Sequence, residues 1–196
     1  MELSEKEKSL ECVRRFQEGD RRAFDELVQI HKRKAYGFVL GMIGNSEDAS
    51  DILQEGFLRV YQSLGRFRGD AGFKTWFYRI LINLSRDVLR RRGRSRRVFA
   101  YSMDEADEDG KTREYPDLSL RPDDQAQQKE LDELVRRIAS GLSDRQREAF
   151  CLRYFQGMRS DEVASVLGCG VSTAKVHIFR ALREVGRRIQ PYLKEH

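Results

Sequence analysis

The residues best equipped for chemistry form three surfaces rather than a catalytic constellation. Between Val171 and Arg188, Ala174, Ile178, Ala181, Leu182 and Val185 recur at helical spacing and predict one buried helix face. The opposite face carries Lys175, Val176, Phe179, Arg180 and Arg183. Cations and an exposed ring near a helix start suit the DNA major groove. An arginine can bond guanine O6 and N7 together, and a phenylalanine can pack on a thymine methyl. Ser172 and Thr173, with the free N–H groups of the helix start, can hold a phosphate. A solvated basic face on a plain helical hairpin is the rival account. The spacing of Ala164 and Gly168, a short helix and its stop ahead of that face, favours a helix-turn-helix and DNA.

The second surface lies between Lys74 and Arg86, where Lys74, Trp76, Phe77, Tyr78, Arg79, Asn83 and Arg86 interleave cations with rings. That mixture suits single-stranded nucleic acid, whose bases stack on rings while cations follow phosphates. Part of the set, with Ile80, Leu81 and Leu84, must also supply a hydrophobic interior. The third surface is acidic. Asp48, Asp51, Gln54, Glu55 and Leu58 share the side of a 47–65 helix left over once its apolar stripe is buried. A mixed acidic and apolar patch favours docking to a basic partner helix, with a plain solvated face as the alternative.

Other candidates carry less. Cys12, Cys151 and Cys169 are an odd number at wide spacing, which builds neither a disulfide framework nor a C-x-x-C metal knuckle. His31, His177 and His196 do not cluster with them in sequence. The reading is of reduced, buried thiols, with no cofactor or metal called for. An enzyme acting on DNA needs a placed nucleophile or a carboxylate cluster for metal ions. The densest acidic run, Asp104 to Asp109, falls in an unperiodic stretch with no fixed geometry.

Helices must position all three surfaces, because no alternating strand pattern occurs. An apolar pattern runs from Phe16 through Leu40. After Gly44-Asn45-Ser46, a stripe of Ala49, Ile52, Leu53, Gly56, Phe57, Val60, Tyr61 and Leu64 defines the 47–65 helix. The loop Arg66 to Gly72 leads into a helix from Thr75 to about Arg92, followed by an arginine run to Arg97. Ser102 to Gln128 loses periodicity, gains Pro116 and Pro122 and turns acidic, and so predicts a linker. Helical pattern resumes at Leu131. The predicted architecture is all-α: one domain over about 10–97, a linker over about 98–128 and a second domain over about 129–194. Charge follows the same division. Residues 1–101 carry 21 Lys/Arg against 14 Asp/Glu, residues 102–128 carry 3 against 9, and residues 129–196 carry 13 against 9. Two basic blocks around an acidic segment point to a polyanionic partner. With 39% apolar and 35% charged residues and a charged start, Met1 to Lys8, the chain reads as a cytoplasmic protein with no membrane insertion.

Several motifs resemble a known family. Asp51-Ile52-Leu53-Gln54-Glu55-Gly56-Phe57, Phe67-Arg68-Gly69-Asp70 and Thr75-Trp76-Phe77-Tyr78-Arg79-Ile80 with Asn83 are similar to the polymerase-binding and promoter-melting region of bacterial sigma factors. Leu142-Ser143-Asp144-Arg145-Gln146-Arg147-Glu148 and the helix-turn-helix resemble the region that reads the upstream promoter element. With these two regions alone, the chain resembles the extracytoplasmic-function (ECF) class. The resemblance implies a non-enzymatic initiation subunit in which Asp51, Gln54, Glu55 and Leu58, with Asp48, bind the β′ coiled coil of polymerase core. It implies a minus-ten surface of Phe67, Arg68, Lys74, Trp76, Arg79, Asn83 and Arg86. Here the Phe67–Lys74 loop and Asn83 take a flipped base. It implies a minus-thirty-five surface of Ser172, Thr173, Lys175, Val176, Phe179, Arg180 and Arg183. Core (β′ coiled coil and β flap), promoter DNA and an anti-sigma protein are the implied partners. Ala174, Val176 and His177 depart from the usual pattern, which leaves the exact upstream sequence open. The second-domain motif alone also resembles LuxR-type activators, but that reading leaves Asp51 to Asn83 unaccounted for.

Overall fold

A computed structural model describes residues 3–99 and 122–194, with side chains over 3–92 and 131–194. Every element among them is a helix. The N-terminal half contains α1 (Glu5–Gln17), α2 (Arg22–Ile43), α3 (Ser46–Leu64) and α4 (Phe73–Phe99). The C-terminal half contains α5 (Pro122–Ser140), α6 (Asp144–Tyr154), α7 (Ser160–Leu167) and α8 (Val171–Lys194). None is long and apolar enough to cross a membrane.

The boundaries differ from the sequence expectations for local reasons. Helix α1 begins ahead of residue 10 because Ser4 and Glu7 close a reciprocal capping box. The Ser4 hydroxyl accepts from Glu7 N–H, and the Glu7 carboxylate accepts from Ser4 N–H at 2.8 Å. Helix α3 starts where Asn45 Oδ1 accepts from Asp48 N–H at 3.0 Å. Helix α4 is longer than expected at both ends, and α5 starts at Pro122, inside the predicted linker, with proline at the first helical position. The rest of that acidic linker, residues 100–121, lies outside the described residues. Ser160 is the first residue of α7 and Ser172 the second of α8.

An aromatic interior fixes the N-terminal half. Phe38, Phe77 and Tyr78 are fully buried, Phe38 meets Tyr78 edge-on at 5.0 Å, and Phe57 lies 4.9 Å from Phe77. Helices α3 and α4 approach closely at Gly56, where a Cβ would meet Leu81 Cδ2 at 2.5 Å. In the C-terminal half, Gly168 ends α7 in the left-handed region (φ 65°). Cys169 N–H then bonds Ala164 O at 3.1 Å, which turns the chain into α8. Val163, Ala174, Ile178, Ala181 and Val185 bury the inner faces. Leu182, expected with them, is 45% exposed instead. It sits one residue past Ala181, outside a stripe too narrow to cover it.

Helix α6 is buried along six consecutive residues, Arg147–Leu152. A helix covered all round must lie between two layers. Here α8 packs on one side of α6 and α2 of the N-terminal half on the other, while α7 packs against α4. The halves therefore share an interface as well as a connection.

Candidate polymerase- and DNA-binding surfaces

On α3, Asp51, Gln54 and Leu58 are exposed, Leu58 to 49%. Glu55 is half-buried and paired with Arg59 one turn on at 2.7 Å, and Asp48 is tied to Arg92 of α4. The acidic face expected from sequence is thus a surface in the fold. Its neighbour is a groove in which Asp51, Ile52 and Glu55 face Leu84, Val88 and Arg91 of α4.

The second surface divides. Phe67 packs against Trp76 with ring centroids 4.7 Å apart and the rings tilted by 31°. Around them Arg66, Arg68, Asp70 and Arg79 line a recess of ≈ 330 Å³. The loop is held from α1, where Gln17 Nε2 donates to Phe67 O at 2.8 Å and to Leu64 O at 3.1 Å. Nothing local in the sequence marks Gln17 for that role. Trp76, Arg79, Asn83 and Arg86 fall at intervals of three and four residues and share one stripe of α4. Asn83, however, does not line the recess. It is two turns along, roughly 10 Å, and with Arg86 it borders a separate cleft of ≈ 900 Å³ whose far wall is Arg145, Arg147 and Glu148.

Most cations of this surface are engaged by the C-terminal half. Arg86 donates to Glu148 in a two-pronged pair at 2.6 and 2.7 Å, and Glu148 is only 1% exposed. Arg79 Nε donates to Ser165 O at 2.9 Å, and its Nη2 reaches Ser165 Oγ at 3.1 Å. Lys74 Nζ donates to Gln156 O at 2.8 Å, and burial lowers the ammonium pKa against an opposing pull from Glu5. Gln156 is the hub that sequence reasoning missed. Its amide bonds Tyr78 Oη and donates to Lys34 O at 2.7 Å.

The third surface is intact on α8. Ser172, Thr173, Lys175, Val176, Arg180 and Arg183 are all exposed, and Phe179 is 65% exposed. His177 is half-buried at the edge. Cys12 and Cys151 are buried, and burial pushes the Cys151 thiol up to about 12, which keeps it protonated and unreactive.

Two family models match this sequence: Sigma-70 region 2 over residues 27–95 and Sigma-70, region 4 over residues 132–185. The RNA polymerase sigma-H factor of Pseudomonas aeruginosa is 35% identical over 194 residues, covering 96% of this chain and 97% of that protein. The chain belongs to the ECF sigma factors. The ECF RNA polymerase sigma-E factor of Escherichia coli is 32% identical over 185 residues, 93% of this chain and 94% of that one. Among solved structures, CnrH in complex with the cytosolic domain of CnrY has the same fold. Its TM-score is 0.66 at 21% identity, over 94% of this chain and 98% of that one. So does the sigma factor RpoE of Bartonella quintana with the anti-sigma factor NepR, at TM-score 0.65 and 20% identity over 85% and 96% of the two chains. This sigma factor accordingly recognises promoters in transcription initiation, through regions 2 and 4, which bind polymerase core and promoter DNA.

Proposed function

We propose a division of labour among the three surfaces of this sigma factor. The α3 face of Asp48, Asp51, Gln54, Glu55 and Leu58 docks on the β′ coiled coil of core, with acidic groups set against a basic partner and Leu58 as the apolar centre. Phe67, Arg68, Trp76 and Arg79 hold the minus-ten element at the recess. Asn83 and Arg86, with Lys74, extend the contact along α4. Ser172, Thr173, Lys175, Val176, Phe179, Arg180 and Arg183 read the minus-thirty-five duplex. Residues about 10–97 act as region 2 and about 129–194 as region 4, joined by the stretch between.

The observation that carries this reading is the α4 stripe: Trp76, Arg79, Asn83 and Arg86 in register along one helix face, its Trp76 end beside a recess that Phe67 and Arg68 also line. The chain acts in the cytoplasm, contributes no catalytic group of its own, and docks region 4 on the β flap. The chemistry of an exposed apolar and basic recognition face also suits an anti-sigma protein as a partner, as in the two solved complexes. The test is run-off transcription with polymerase core on genomic DNA, followed by start-site mapping. Discrete start sites that need the sigma factor support the reading. Core binding with no start sites overturns the DNA-surface assignments.

A further inference from the structure

We propose that Gln17, the last residue of α1, is a positioning residue for promoter melting and acts through the loop that carries Phe67 and Arg68. The inference rests on the minus-ten assignment above and adds to it a residue outside the stretch that matches Sigma-70 region 2, residues 27–95. A recess built on a loop can hold a base only if a rigid scaffold fixes the loop backbone. A loop leaving a helix end also starts from carbonyls that have no partner within the helix. Leu64 ends α3, and its carbonyl is one of these. It accepts from Phe67 N–H at 3.1 Å, which closes a turn, and from Gln17 Nε2 at 3.1 Å. The same amide nitrogen donates to Phe67 O at 2.8 Å. Both hydrogens of one side-chain amide are thus engaged by the two ends of that turn. Further on, Gly69 takes φ 80°, a left-handed bend that leads the chain back to α4.

The end of α1 is itself held in place. Phe16 is buried, meets Tyr61 of α3 edge-on at 5.4 Å and lies 6.1 Å from Phe24 of α2. Arg15 Nε donates to Asp20 at 3.0 Å and its Nη1 to Glu26 at 2.9 Å, which fixes the turn from α1 into α2. Gln17 therefore reaches the loop from a rigid base. Its own side chain is exposed, so replacing it opens no cavity in the core. With the turn pinned, the Phe67 ring stays 4.7 Å from Trp76 and 6.3 Å from Phe73, and the recess keeps its shape before DNA arrives. The ordering cost of the loop is then met during folding rather than during capture of an unpaired base.

Trp76 is the single tryptophan of the chain, so its fluorescence reports on the recess directly. Gln17→Leu keeps the bulk of the side chain and removes both donors. Gln17→Glu removes them too and sets a carboxylate against the two carbonyls. In the free chain each variant should keep the wild-type melting temperature, shift Trp76 emission to the red and expose it to quenching by acrylamide. With polymerase core, on a promoter mapped by run-off transcription of genomic DNA, opening is followed by the growth of permanganate-reactive thymines. The maximal opening rate should fall about tenfold, the effect of losing two hydrogen bonds of ordinary net strength. The concentration of sigma factor and core giving half that rate should stay at the wild-type value, since closed-complex binding does not use the recess. Phe67→Ala, assayed alongside, tests the minus-ten reading itself. Slow opening by Phe67→Ala with wild-type opening by both Gln17 variants overturns the proposal alone. Wild-type opening by all three overturns the minus-ten reading and the proposal with it. Slow opening by the Gln17 variants with Trp76 unchanged, or with a lowered melting temperature, also overturns the proposal, because the effect would then not pass through the loop.

Discussion

Truncating Phe179 to alanine isolates the apolar part of upstream recognition. A phenylalanine buries about 150–250 Å² when fully covered. A side chain that is 65% exposed therefore has on the order of 130 Å² still to bury. A groove wall covers one side of the ring, about half of that area. At about 25 cal/mol per Å² the lost contact is worth ~1.6 kcal/mol, roughly a fifteenfold rise in Kd. The fold should not notice the change, because an exposed site is worth within about 0.5 kcal/mol and alanine is the better helix former. The assay is fluorescence anisotropy with a duplex selected from a random pool by the wild-type protein on core, at several salt concentrations. Affinity should fall by the same factor at each salt, since no phosphate contact is removed. An unchanged Kd, or a melting point several degrees lower, would refute the placement of Phe179 on the DNA face.

Other outcomes test the remaining surfaces. Asp51→Arg and Glu55→Arg should each abolish co-elution with polymerase core while circular dichroism stays native, because each sets a cation against a basic partner. Asn83→Ala should leave upstream duplex binding intact and reduce permanganate-reactive thymines about tenfold, the cost of one lost hydrogen bond of about 1.4 kcal/mol to an unpaired base. Wild-type opening by that variant assigns Asn83 a structural role. His31, 2% exposed and bonded to Ser9 at 2.8 Å, is pushed down by burial to about 4. The unfolded chain holds the extra proton between that value and about 6.5, so stability should be full above pH 6.5 and fall by about 3 kcal/mol as pH drops to about 4. His31→Gln should flatten that part of a urea-denaturation pH profile.

What the sequence made legible was whatever local physics decides. The α3 stripe and the Gly168 stop each depend on neighbours within a turn or two, and each appears where the pattern put it. Helix α1 was legible in principle from Ser4 and Glu7, but its charge density hid the helical stripe in which Val13 is buried beside Cys12 and Phe16. Burial on every side of α6 leaves no amphipathic stripe to read. The contacts that divide the minus-ten set join residues far apart in the chain, 62 positions for Arg86 and Glu148 and 122 for Gln156 and Lys34. No periodicity encodes such pairs. Loop closure over the acidic segment, not local pattern, brings them together.

The two DNA surfaces differ in a way that salt can read. A side chain that binds phosphate must be free to do so, and on α8 Lys175, Arg180 and Arg183 have no ion pair among the described residues. On α4, by contrast, Lys74, Arg79 and Arg86 are bonded to region 4. The free chain should therefore bind nucleic acid mainly through region 4. For a single strand each contact contributes about 0.7 to the slope of log K against log salt. A chain with Lys175, Arg180 and Arg183 all replaced by alanine should consequently show a plot shallower than wild type by about 2. Both proteins can be titrated with the same labelled single-stranded 20-mer between about 50 and 200 mM salt, where such slopes are well developed. Parallel lines, whatever their offset, would mean that these three cations meet no phosphate, and the α8 face would then be an ordinary solvated surface.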